Sequence, residues 1–486
     1  MHFEFMLKLY NTLSHKLEEF KPINPDQIGV YSCGPTVYWN QHIGNMYAFV
    51  QWDAMVRFLR FLGWNVKWVM NITDVGHMTS DEDSGEDKME KGAKREGMTP
   101  WEIADKYLGQ FKESIDLLNI KPDLLPRATE HIQEQIDLIK KIEDRGFAYK
   151  TKTGLVFNTA KFPGYADFAR LDLSKQEAGS RVEVDPEKKN PWDFLLWVTN
   201  QPNHIMLWDS PWGKGFPGWH IECTAMSTKY LGETFDIHTG GKEHIPVHHT
   251  NEVAQGFGAF GHQTANFWLH NEWLSIKGEK ASKSSGNFYL VTDLVEKGYD
   301  PLAFRYLVLT SQYHSGLDFS FEALTGAQTT LFRLRDLVVG WKQTKDETGF
   351  SRETIDKTQD YRQKFIDAVS NDLNFPAGLA VVWEMAKSNI NSEDKLDLIL
   401  EFDKVMGLRL AEAGSEKRET SSEVEELAQK REVLRKQKKW ETADEVRKEI
   451  EKLGYTIEDK ADGYVLKHCH SELVYTERSE CDSESI

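Results

Sequence analysis

Residues 27–72 have the sequence QIGVYSCGPTVYWNQHIGNMYAFVQWDAMVRFLRFLGWNVKWVMNI, and this stretch decides the fold class. Residues 27–32 are a largely apolar run that predicts a short buried strand, and the Gly-Pro pair after it predicts a turn. Apolar side chains then recur at helical spacing over residues 46–62, and residues 66–72 predict a second strand. Strand, helix and strand in this order form a βαβ unit, from which a parallel α/β sheet is built.

Further α/β character returns near the middle of the chain. Strand-like runs at 234–238 and 267–270 alternate with a helix predicted from about His248 to Gly256. Residues 115–210 mix helical and irregular patterns, which indicates an insertion between two halves of the sheet. Residues 77–97 are charged and contain glycine, so they predict a solvated loop.

The C-terminal half changes to helical periodicity from residue 317 onward, which indicates an all-helical region. A stretch of small polar residues then predicts a linker, and a helical hairpin with a short extended piece predicts a small module. The acidic end lacks periodicity and predicts a disordered tail. We expect an α/β domain at 1–315 with its insertion at about 115–210, a helical domain at 316–410, a linker at 411–422, a small module at 423–467 and a tail at 468–486.

Composition excludes several classes of protein. The 486 residues are 40% hydrophobic and 28% charged, which is typical of a folded chain of about three domains. No apolar run approaches the ~18 residues of a membrane span, and the start lacks the apolar region of a secretory signal. Four cysteines are too few for a disulfide scaffold of this size, so we expect a reducing cytoplasm. The net charge of -18 argues against non-specific wrapping of nucleic acid but leaves a local RNA-binding patch open.

Two short motifs have the side chains of a nucleotide-phosphate site. HIGN at residues 42–45 lies at the predicted start of the first helix, where free N–H groups and a partial positive charge favour anions. KASKS at residues 280–284 places two lysines on a flexible loop that can close over a triphosphate. Taken alone, the first motif is also compatible with an ordinary helix start, and the second with a solvated basic loop.

A third set of residues has the ligand types of a zinc site. Cys33 follows the first strand, Cys223 ends the segment WHIEC, and His248 and Glu252 lie four residues apart on one face if their segment is helical. The spacing is nonlocal and lacks a CxxC pair. Taken alone, the cysteines are also compatible with small buried apolar residues, and the His–Glu pair with an ordinary surface pair.

The C-terminal module contains a basic stretch with an aromatic residue. KREVLRKQKKW at residues 430–440 carries six basic residues and one acid, and it ends in Trp440. Basic groups can contact phosphates and a tryptophan can stack on an unpaired base. A solvated helix face has a similar composition, so the stretch alone does not decide between the two.

These motifs, in this order, resemble the cysteinyl-tRNA synthetases, which are class I synthetases with a Rossmann-type catalytic core. The resemblance covers residues 6–467 and is carried by YSCGPTVY (31–38), HIGN (42–45), NITDV (71–75), SRVEVDPEKKNPWDF (180–194), SPWGKGFPGWHIECTAMS (210–227), FDIHTGGKEHIPVHHTNEVAQ (235–255), WLHN (268–271) and GEKASKSSGN (278–287). It implies an α/β fold with a Rossmann-type parallel-sheet catalytic domain and an insertion, followed by an all-helical domain and a small anticodon-binding module.

The resemblance also implies the roles of individual residues. It implies zinc ligands at Cys33, Cys223, His248 and Glu252. It implies ATP contacts at His42, Gly44, Asn45, Lys280, Ser282, Lys283 and Ser284, with catalytic roles for His42, Asn45, Lys280 and Lys283. It implies substrate cysteine contacts at Thr73, Trp219 and His238. It implies anticodon contacts at Arg435, Trp440, Asp444 and Asp459, with tRNA stem contacts at about 291–315 and in the helical domain.

The implied activity is that of a cysteine–tRNA ligase. Such an enzyme activates L-cysteine with ATP to cysteinyl-adenylate and transfers the cysteine to the 3′ end of tRNA-Cys. One Zn²⁺ per chain is expected to select the substrate thiol over the serine hydroxyl, because zinc binds thiolate directly and an alcohol stays protonated. Mg²⁺ is expected with the ATP. We expect a cytoplasmic monomer whose partners are tRNA-Cys, ATP and L-cysteine, with no membrane contact.

Several positions depart from the pattern of the family. Asn45 replaces a histidine and Ala281 a methionine, and Thr239, Glu243 and Thr250 replace the usual glycine, aspartate and glutamate. These departures leave the expected reaction unchanged and leave the detail of the pocket open.

Three other functions are compatible with parts of the sequence. The cysteine ligase of mycothiol synthesis shares the core but lacks a long anticodon-binding part, so residues 317–467 argue against it. Another nucleotidyl-transfer enzyme with a HIGH-like motif is disfavoured by the zinc set and by the chain length. An inactive paralogue that binds tRNA or senses zinc would be expected to have lost His42 or the two lysines, and all three are present.

Overall fold

The computed structural model describes ten segments of the chain. They are residues 6–76, 88–172, 187–201, 204–276, 278–280, 288–344, 352–414, 422–452, 455–460 and 463–468. The α-helices in these segments are α1 (Ile43–Phe61), α2 (Lys88–Glu96), α3 (Pro100–Leu117), α4 (Ile132–Asp144), α5 (Trp219–Leu231), α6 (Thr250–Phe260), α7 (Val291–Glu296), α8 (Pro301–Leu309), α9 (Phe321–Gln343), α10 (Arg352–Ser370), α11 (Phe375–Lys387), α12 (Ser392–Met406), α13 (Ser422–Lys436) and α14 (Trp440–Lys452). The strands are β1 (Lys8–Asn11), β2 (Lys16–Glu19), β3 (Ile28–Ser32), β4 (Val66–Met70), β5 (Ala148–Lys150), β6 (Gly154–Phe157), β7 (Phe194–Thr199), β8 (Gly215–Pro217), β9 (Phe235–Gly241), β10 (Ala265–Asn271), β11 (Leu274–Ile276), β12 (Glu279–Lys280), β13 (Leu317–Phe319), β14 (Tyr455–Lys460) and β15 (Gly463–His468).

The predicted βαβ unit is confirmed and forms the centre of a four-stranded parallel sheet. The strand order is β10-β9-β3-β4, so the two later strand-like runs of the sequence are also confirmed. β3 is buried along its whole length, as expected for a strand covered on both faces. α1 joins β3 to β4, and the chain leaves it at Gly63, whose φ of 94° favours glycine.

The carboxyl ends of β3, β4 and β9 meet at one edge of this sheet. Tyr31 on β3 pairs with His238 on β9, so Cys33 follows β3 at the level where β9 ends. Thr36 and Thr73 form a further bridge just beyond β3 and β4. Open parallel sheets bind ligands in the crevice outside the carboxyl ends of their strands, so a ligand-binding site is expected at this edge.

The insertion predicted at about 115–210 has a sheet of its own. It contains α4 and an antiparallel sheet in the order β5-β6-β7-β8, whose last strand ends at Pro217. β8 lies beyond the predicted boundary because it is held by pairing with β7, for example Phe216 opposite Val198. Pairing between segments that are distant in sequence leaves no local pattern in either of them.

The prediction of a solvated loop at 77–97 is wrong for its described part. Residues 88–96 form α2, and Met89 and Ala93 are buried in the main hydrophobic cluster. The two side chains are four residues apart and therefore share one helix face. Two apolar residues among many charged ones give too weak a pattern to predict a helix. Residues 77–87 of the predicted loop lie outside the described residues.

The helical region is present and differs from the prediction at its start. Residues 317–319 form β13, which pairs in parallel with β11, and the helices begin with α9 at Phe321. The buried side chains of α9 to α12 belong to the same hydrophobic cluster as those of α1 and β3. The helical region therefore packs directly on the α/β body.

The C-terminal module consists of the hairpin of α13 and α14 followed by the antiparallel pair β14-β15, as the sequence pattern predicts. Its apolar core is small and consists of Val424, Ala428, Val446, Ile450 and Ile457. Residues 415–421 of the predicted linker and 469–486 of the predicted tail lie outside the described residues. Within the part of the chain that the structure describes, no helix is both long and apolar enough to cross a membrane.

Candidate active site and metal centre

A cleft of about 570 Å³ opens at the carboxyl edge of the parallel sheet. Its walls contain residues from the HIGN motif, the zinc set and the predicted cysteine pocket. These are His42, Gly44, Asn45, Cys33, Cys223, His248, Thr73 and Trp219. Three sets of residues that are remote in sequence thus line one cavity.

The four predicted zinc ligands come together at the base of this cleft. One ligand atom from each lies within 4.8 Å of all the others, for Cys33, Cys223, His248 and Glu252. The two Sγ atoms are 3.9 Å apart. The Sγ of Cys33 is 3.9 Å from Glu252 Oε1, and Nε2 of His248 is 3.1 Å from the same oxygen.

These separations fit a zinc ion. Ligand atoms that bind Zn²⁺ tetrahedrally at about 2.0–2.3 Å lie about 3.3–3.8 Å from one another. The three distances given above agree with that range within a few tenths of an ångström. Two thiols, an imidazole and a carboxylate also match the ligand preferences of zinc.

Electrostatics at the cluster favour a bound cation. Burial raises the pKa of the Glu252 carboxyl, but His238 and His248 outweigh it and lower this pKa to about 2. Burial lowers the pKa of His248, but Glu252 and Cys223 outweigh it and raise this pKa to about 10. Burial and the hydrogen bond to Cys223 raise the pKa of the Cys33 thiol. The cluster therefore holds protons that a divalent cation would displace.

A second set of possible ligands shares two members with the first. Cys33, His238, His249 and Glu252 also lie within 4.8 Å of one another, with His249 Nε2 3.1 Å from the Cys33 sulfur. Sequence reasoning missed His249, although its position directly after His248 is a visible signal. His238 and His249 do not line the cleft, whereas Cys223 and His248 do. Three members of the first set line the cleft, compared with Cys33 alone of the second, so the first set is better placed to present a bound ion to a ligand in the cleft.

Behind His249, a chain of polar contacts leads away from the cleft. His249 Nδ1 is 2.6 Å from Nε2 of His270, and Nδ1 of His270 is 2.8 Å from the Thr12 hydroxyl. All three residues are buried. Sequence reasoning also missed His270, because a single histidine in a strand carries no local signal of its partners.

The predicted cysteine contacts occupy two different environments. Thr73 lines the cleft and its hydroxyl donates to Glu222 Oε2 at 2.9 Å. Trp219 lines the cleft and stacks on His248, with ring centroids 4.2 Å apart. His238 is fully buried behind the cluster, with Nε2 3.0 Å from Glu252 Oε2. In this position His238 is better placed to orient Glu252 than to contact a substrate.

The HIGN motif starts α1 and faces the cleft. His42 is the N-cap residue, and its Nδ1 accepts a hydrogen bond from the Gly44 N–H at 3.0 Å. Asn45 Oδ1 accepts from the His42 N–H at 3.2 Å, which completes a capping box. The motif thus stabilises the helix start whose partial positive charge faces the cleft.

The KASKS motif is described only at its first residue. The backbone of Lys280 lies in β12, where it pairs with Ser275 of β11. Ser282, Lys283 and Ser284 lie outside the described residues, so their roles stay predictions.

Three of the four predicted anticodon residues lie close together in the C-terminal module. Asp459 is 2.9 Å from Arg435, whose guanidinium carbon is 5.4 Å from the centre of the Trp440 ring. Trp440 is 54% exposed and is free to stack on a base. Asp444 is exposed on α14. Sequence reasoning missed the buried Arg431, which donates to both carboxylate oxygens of Asp459 at 2.8 and 3.1 Å.

Comparisons with known proteins agree with this arrangement. A family model described as the tRNA synthetases class I (C) catalytic domain matches residues 19–329. The DALR domain matches residues 364–411, and the cysteinyl-tRNA ligase anticodon binding domain matches residues 417–464. The cysteine–tRNA ligase of Treponema denticola is 42% identical over 482 residues, which cover 94% of this chain and 98% of that protein. The chain belongs to the cysteine–tRNA ligase family.

A second relative supports the assignment of the family, and a solved structure supports the assignment of the fold. The cysteine–tRNA ligase 1 of Burkholderia lata is 44% identical over 461 residues, covering 94% of this chain and 96% of that protein. The fold is similar to a methionyl-tRNA synthetase of Mycobacterium tuberculosis bound by methionyl-adenylate. The TM-score is 0.57 at 14% identity, over 80% of this chain and 93% of that one. This cysteine–tRNA ligase family member is therefore an aminoacyl-tRNA synthetase, a ligase with the class I fold.

Proposed function

We propose that the chain binds ATP, L-cysteine and tRNA-Cys, forms cysteinyl-adenylate and transfers the cysteine to the 3′ end of the tRNA. The observation that carries this proposal is the cluster of two thiols, one imidazole and one carboxylate, of which the thiols and the imidazole line the same cleft as the HIGN motif. A nucleotide and a thiol-bearing amino acid can therefore be held side by side.

The metal cluster accounts for the choice of cysteine. Cys33, Cys223, His248 and Glu252 would hold one zinc ion, which supplies a direct preference for thiolate over alcohol. Apolar packing alone discriminates poorly between near-isosteric groups such as the side chains of cysteine and serine. Trp219 stacks on His248 and restricts its ring, and His238 holds the second carboxylate oxygen of Glu252.

The first step joins the amino acid carboxylate to the α-phosphorus of ATP. A carboxylate oxygen attacks the phosphorus, and the bond to the pyrophosphate oxygen breaks. Negative charge builds on the leaving pyrophosphate, where the start of α1 with His42 and Asn45, and the two lysines Lys280 and Lys283, would stabilise it. Mg²⁺ is proposed to accompany the ATP phosphates.

In the second step a terminal ribose hydroxyl of the tRNA attacks the acyl carbonyl. The ester bond forms, the bond between the acyl carbon and the phosphate oxygen breaks, and AMP leaves with its electron pair while the hydroxyl proton passes to the leaving phosphate or to water. AMP is a good leaving group, so positioning of the two reactants supplies most of the rate and no side-chain nucleophile is needed.

The C-terminal module is proposed to bind the anticodon. Arg435 and the exposed Trp440 present a cation and a ring on one surface, and Asp459 holds the guanidinium in place. The helical domain would contact the stem of the same tRNA. These helices disfavour the cysteine ligase of mycothiol synthesis, which lacks a long anticodon-binding part. The monomeric state and the cytoplasmic location stay predictions.

The test is charging of a tRNA-Cys transcript by the purified protein, with cysteine and with serine. We expect charging with cysteine alone. Glu252→Gln is expected to lower the zinc content from one ion per chain and to lower charging with it, whereas Glu233→Gln should change neither. Glu233 is a suitable control because it lies on the surface, 58% exposed. Pyrophosphate exchange with cysteine but no charging would refute tRNA as the acceptor, and no cysteine-dependent activity would refute the proposal as a whole.

A further inference from the structure

A second cavity lies far from the catalytic cleft, at the other end of α1. Its volume is about 220 Å³, and it is lined by Asp53, Arg57, Arg60, Phe61, Lys121 and Lys404. Arg57 follows His42 by fifteen residues, which at 1.5 Å per residue places it about 22 Å along the helix from the cleft. The two cavities are therefore separate.

The cavity concentrates positive charge on an acidic protein. Its lining has four cationic side chains and one carboxylate, whereas the whole chain has a net charge of -18. The one carboxylate, Asp53, is buried, and both of its oxygens already accept hydrogen bonds. Its Oδ2 accepts from Arg57 and from Arg305 at 2.6 Å each, and its Oδ1 accepts from the Lys121 N–H at 3.0 Å.

The remaining cations differ in how far they are neutralised. Arg60 donates through Nη2 to Asp123 at 2.6 Å and to the Val66 carbonyl at 3.1 Å. The ammonium groups of Lys121 and Lys404 are exposed, and neither has an ion pair or hydrogen bond with any residue that the structure describes. Two lysines whose ammonium groups make no ion pair with a described residue, beside two arginines, form a receptor for an anion.

The cavity also lies between two parts of the fold. Arg57 and Arg60 belong to α1 and Lys121 follows α3, whereas Lys404 lies on the last turn of α12 in the helical region. Without a counter-ion, these cations repel each other across the junction. An anion between them would turn that repulsion into attraction on both sides.

We propose that this cavity binds a small phosphate-bearing anion, which bridges the α/β body and the helical region. Arginine and lysine side chains are the usual phosphate ligands. Arg57 also donates through Nη2 to the Asn119 carbonyl at 2.6 Å, and Arg57 and Arg60 each still use only part of their donors. A volume of about 220 Å³ is below the range of about 300–1,000 Å³ typical of drug-sized ligands, so it suits inorganic phosphate or a small phosphate monoester. The concave shape fits such an anion better than the backbone of an RNA duplex.

The test uses inorganic phosphate as the probe, at constant ionic strength with chloride as the balancing anion. Binding is measured by calorimetry and by the phosphate-dependent rise in Tm of the full chain. The variant is the double substitution Lys121→Ala/Lys404→Ala. The matched control is Lys112→Ala/Lys387→Ala, which removes two other exposed lysines and the same total charge. Phosphate that binds in the catalytic cleft contributes equally to all three proteins.

We expect the wild type and the control to bind phosphate with the same Kd and to gain the same increase in Tm. The Lys121/Lys404 variant should lose at least about tenfold in Kd, which corresponds to about 1.4 kcal/mol. Equal phosphate binding by all three proteins would overturn the proposal. So would a variant that binds phosphate like the wild type but has a raised KM for tRNA alone, because the cavity would then contact an RNA phosphate. Lys404→Met provides the same comparison with a single substitution if the double variant folds poorly.

Discussion

Asp53→Asn is predicted to be one of the most destabilising single substitutions in this protein. Asp53 is 2% exposed and holds Arg305, whose side chain is fully buried, through Oδ2 at 2.6 Å. Arg305 also donates to the carbonyls of Met406 at 2.6 Å and Leu118 at 3.0 Å. Burial lowers the pKa of Arg305 and the Asp53 carboxylate opposes this effect. The pair thus holds together the middle of α1, the loop after α3 and the end of α12.

The expected loss follows from the environment of the pair. Asparagine keeps the shape of the side chain but leaves the buried guanidinium without the carboxylate that contacts it, and only the weaker interaction with Asp403 remains. Breaking a buried ion pair in this way costs about 3–5 kcal/mol. Asp360→Asn is the matched control, because Asp360 and Lys364 form a similar pair on the surface, 58% and 45% exposed. An exposed pair contributes about 0–1 kcal/mol.

The assay is urea unfolding of the wild type and variants, followed by tryptophan fluorescence, with the free energy of unfolding taken from the transition of the α/β body. A third variant, Asp53→Asn/Arg305→Met, also removes the fully buried cation and should be more stable than Asp53→Asn alone. Only Arg57, which is 17% exposed and therefore partly solvated, is then left without its carboxylate partner. Equal losses for Asp53→Asn and Asp360→Asn would refute the reasoning. A double variant that is less stable than the single variant would refute it as well.

Three further predictions concern the site and the anticodon module. Gly34→Ala should reduce cysteine charging and stability far more than Gly326→Ala. A Cβ at Gly34 would lie 1.7 Å from the Asn71 carbonyl oxygen, whereas a Cβ at Gly326 would have no atom within 4 Å. Similar effects of the two substitutions in charging assays and thermal unfolding would contradict the predicted clash. The pKa of Glu252 in the folded state is about 2, below the ordinary value of 4.5, so its contribution to stability is present above pH 4.5 and is lost as the pH falls toward 2. The metal-free wild type should therefore lose stability over this range more steeply than Glu252→Gln. Parallel curves of unfolding free energy against pH would contradict the stabilising role of the charged Glu252. Arg435→Ala should raise KM for tRNA without changing cysteine-dependent pyrophosphate exchange, whereas an equal loss in both assays would indicate a structural role.

Much of the fold and of the site can be predicted from the sequence because its signals are local. The βαβ unit shows itself as an apolar run, a helical period and a second apolar run within residues 27–72. The HIGN motif lies at a helix start because its residues cap that helix. The donor types of the zinc set are also visible, since two cysteines, a histidine and a glutamate are few and chemically distinct.

Other features could not be predicted locally because they depend on contacts between distant segments. α2 is stabilised by burial of Met89 and Ala93 in the main core, against the charged composition of its sequence. β8 and β13 are strands only because β7 and β11 lie beside them. Neither kind of contact leaves a period in the sequence of the segment itself.

The fold class, the family and the kinds of side chain available for chemistry can all be predicted from the amino-acid order. Which of those side chains come into contact is seen in the folded protein alone. It placed His238 behind Glu252, brought His249 to the Cys33 sulfur, and gathered lysines from two parts of the fold around the second cavity. The physical reason is that side-chain chemistry and helical or strand periods are properties of short segments, whereas distances between segments are set by how their buried faces pack.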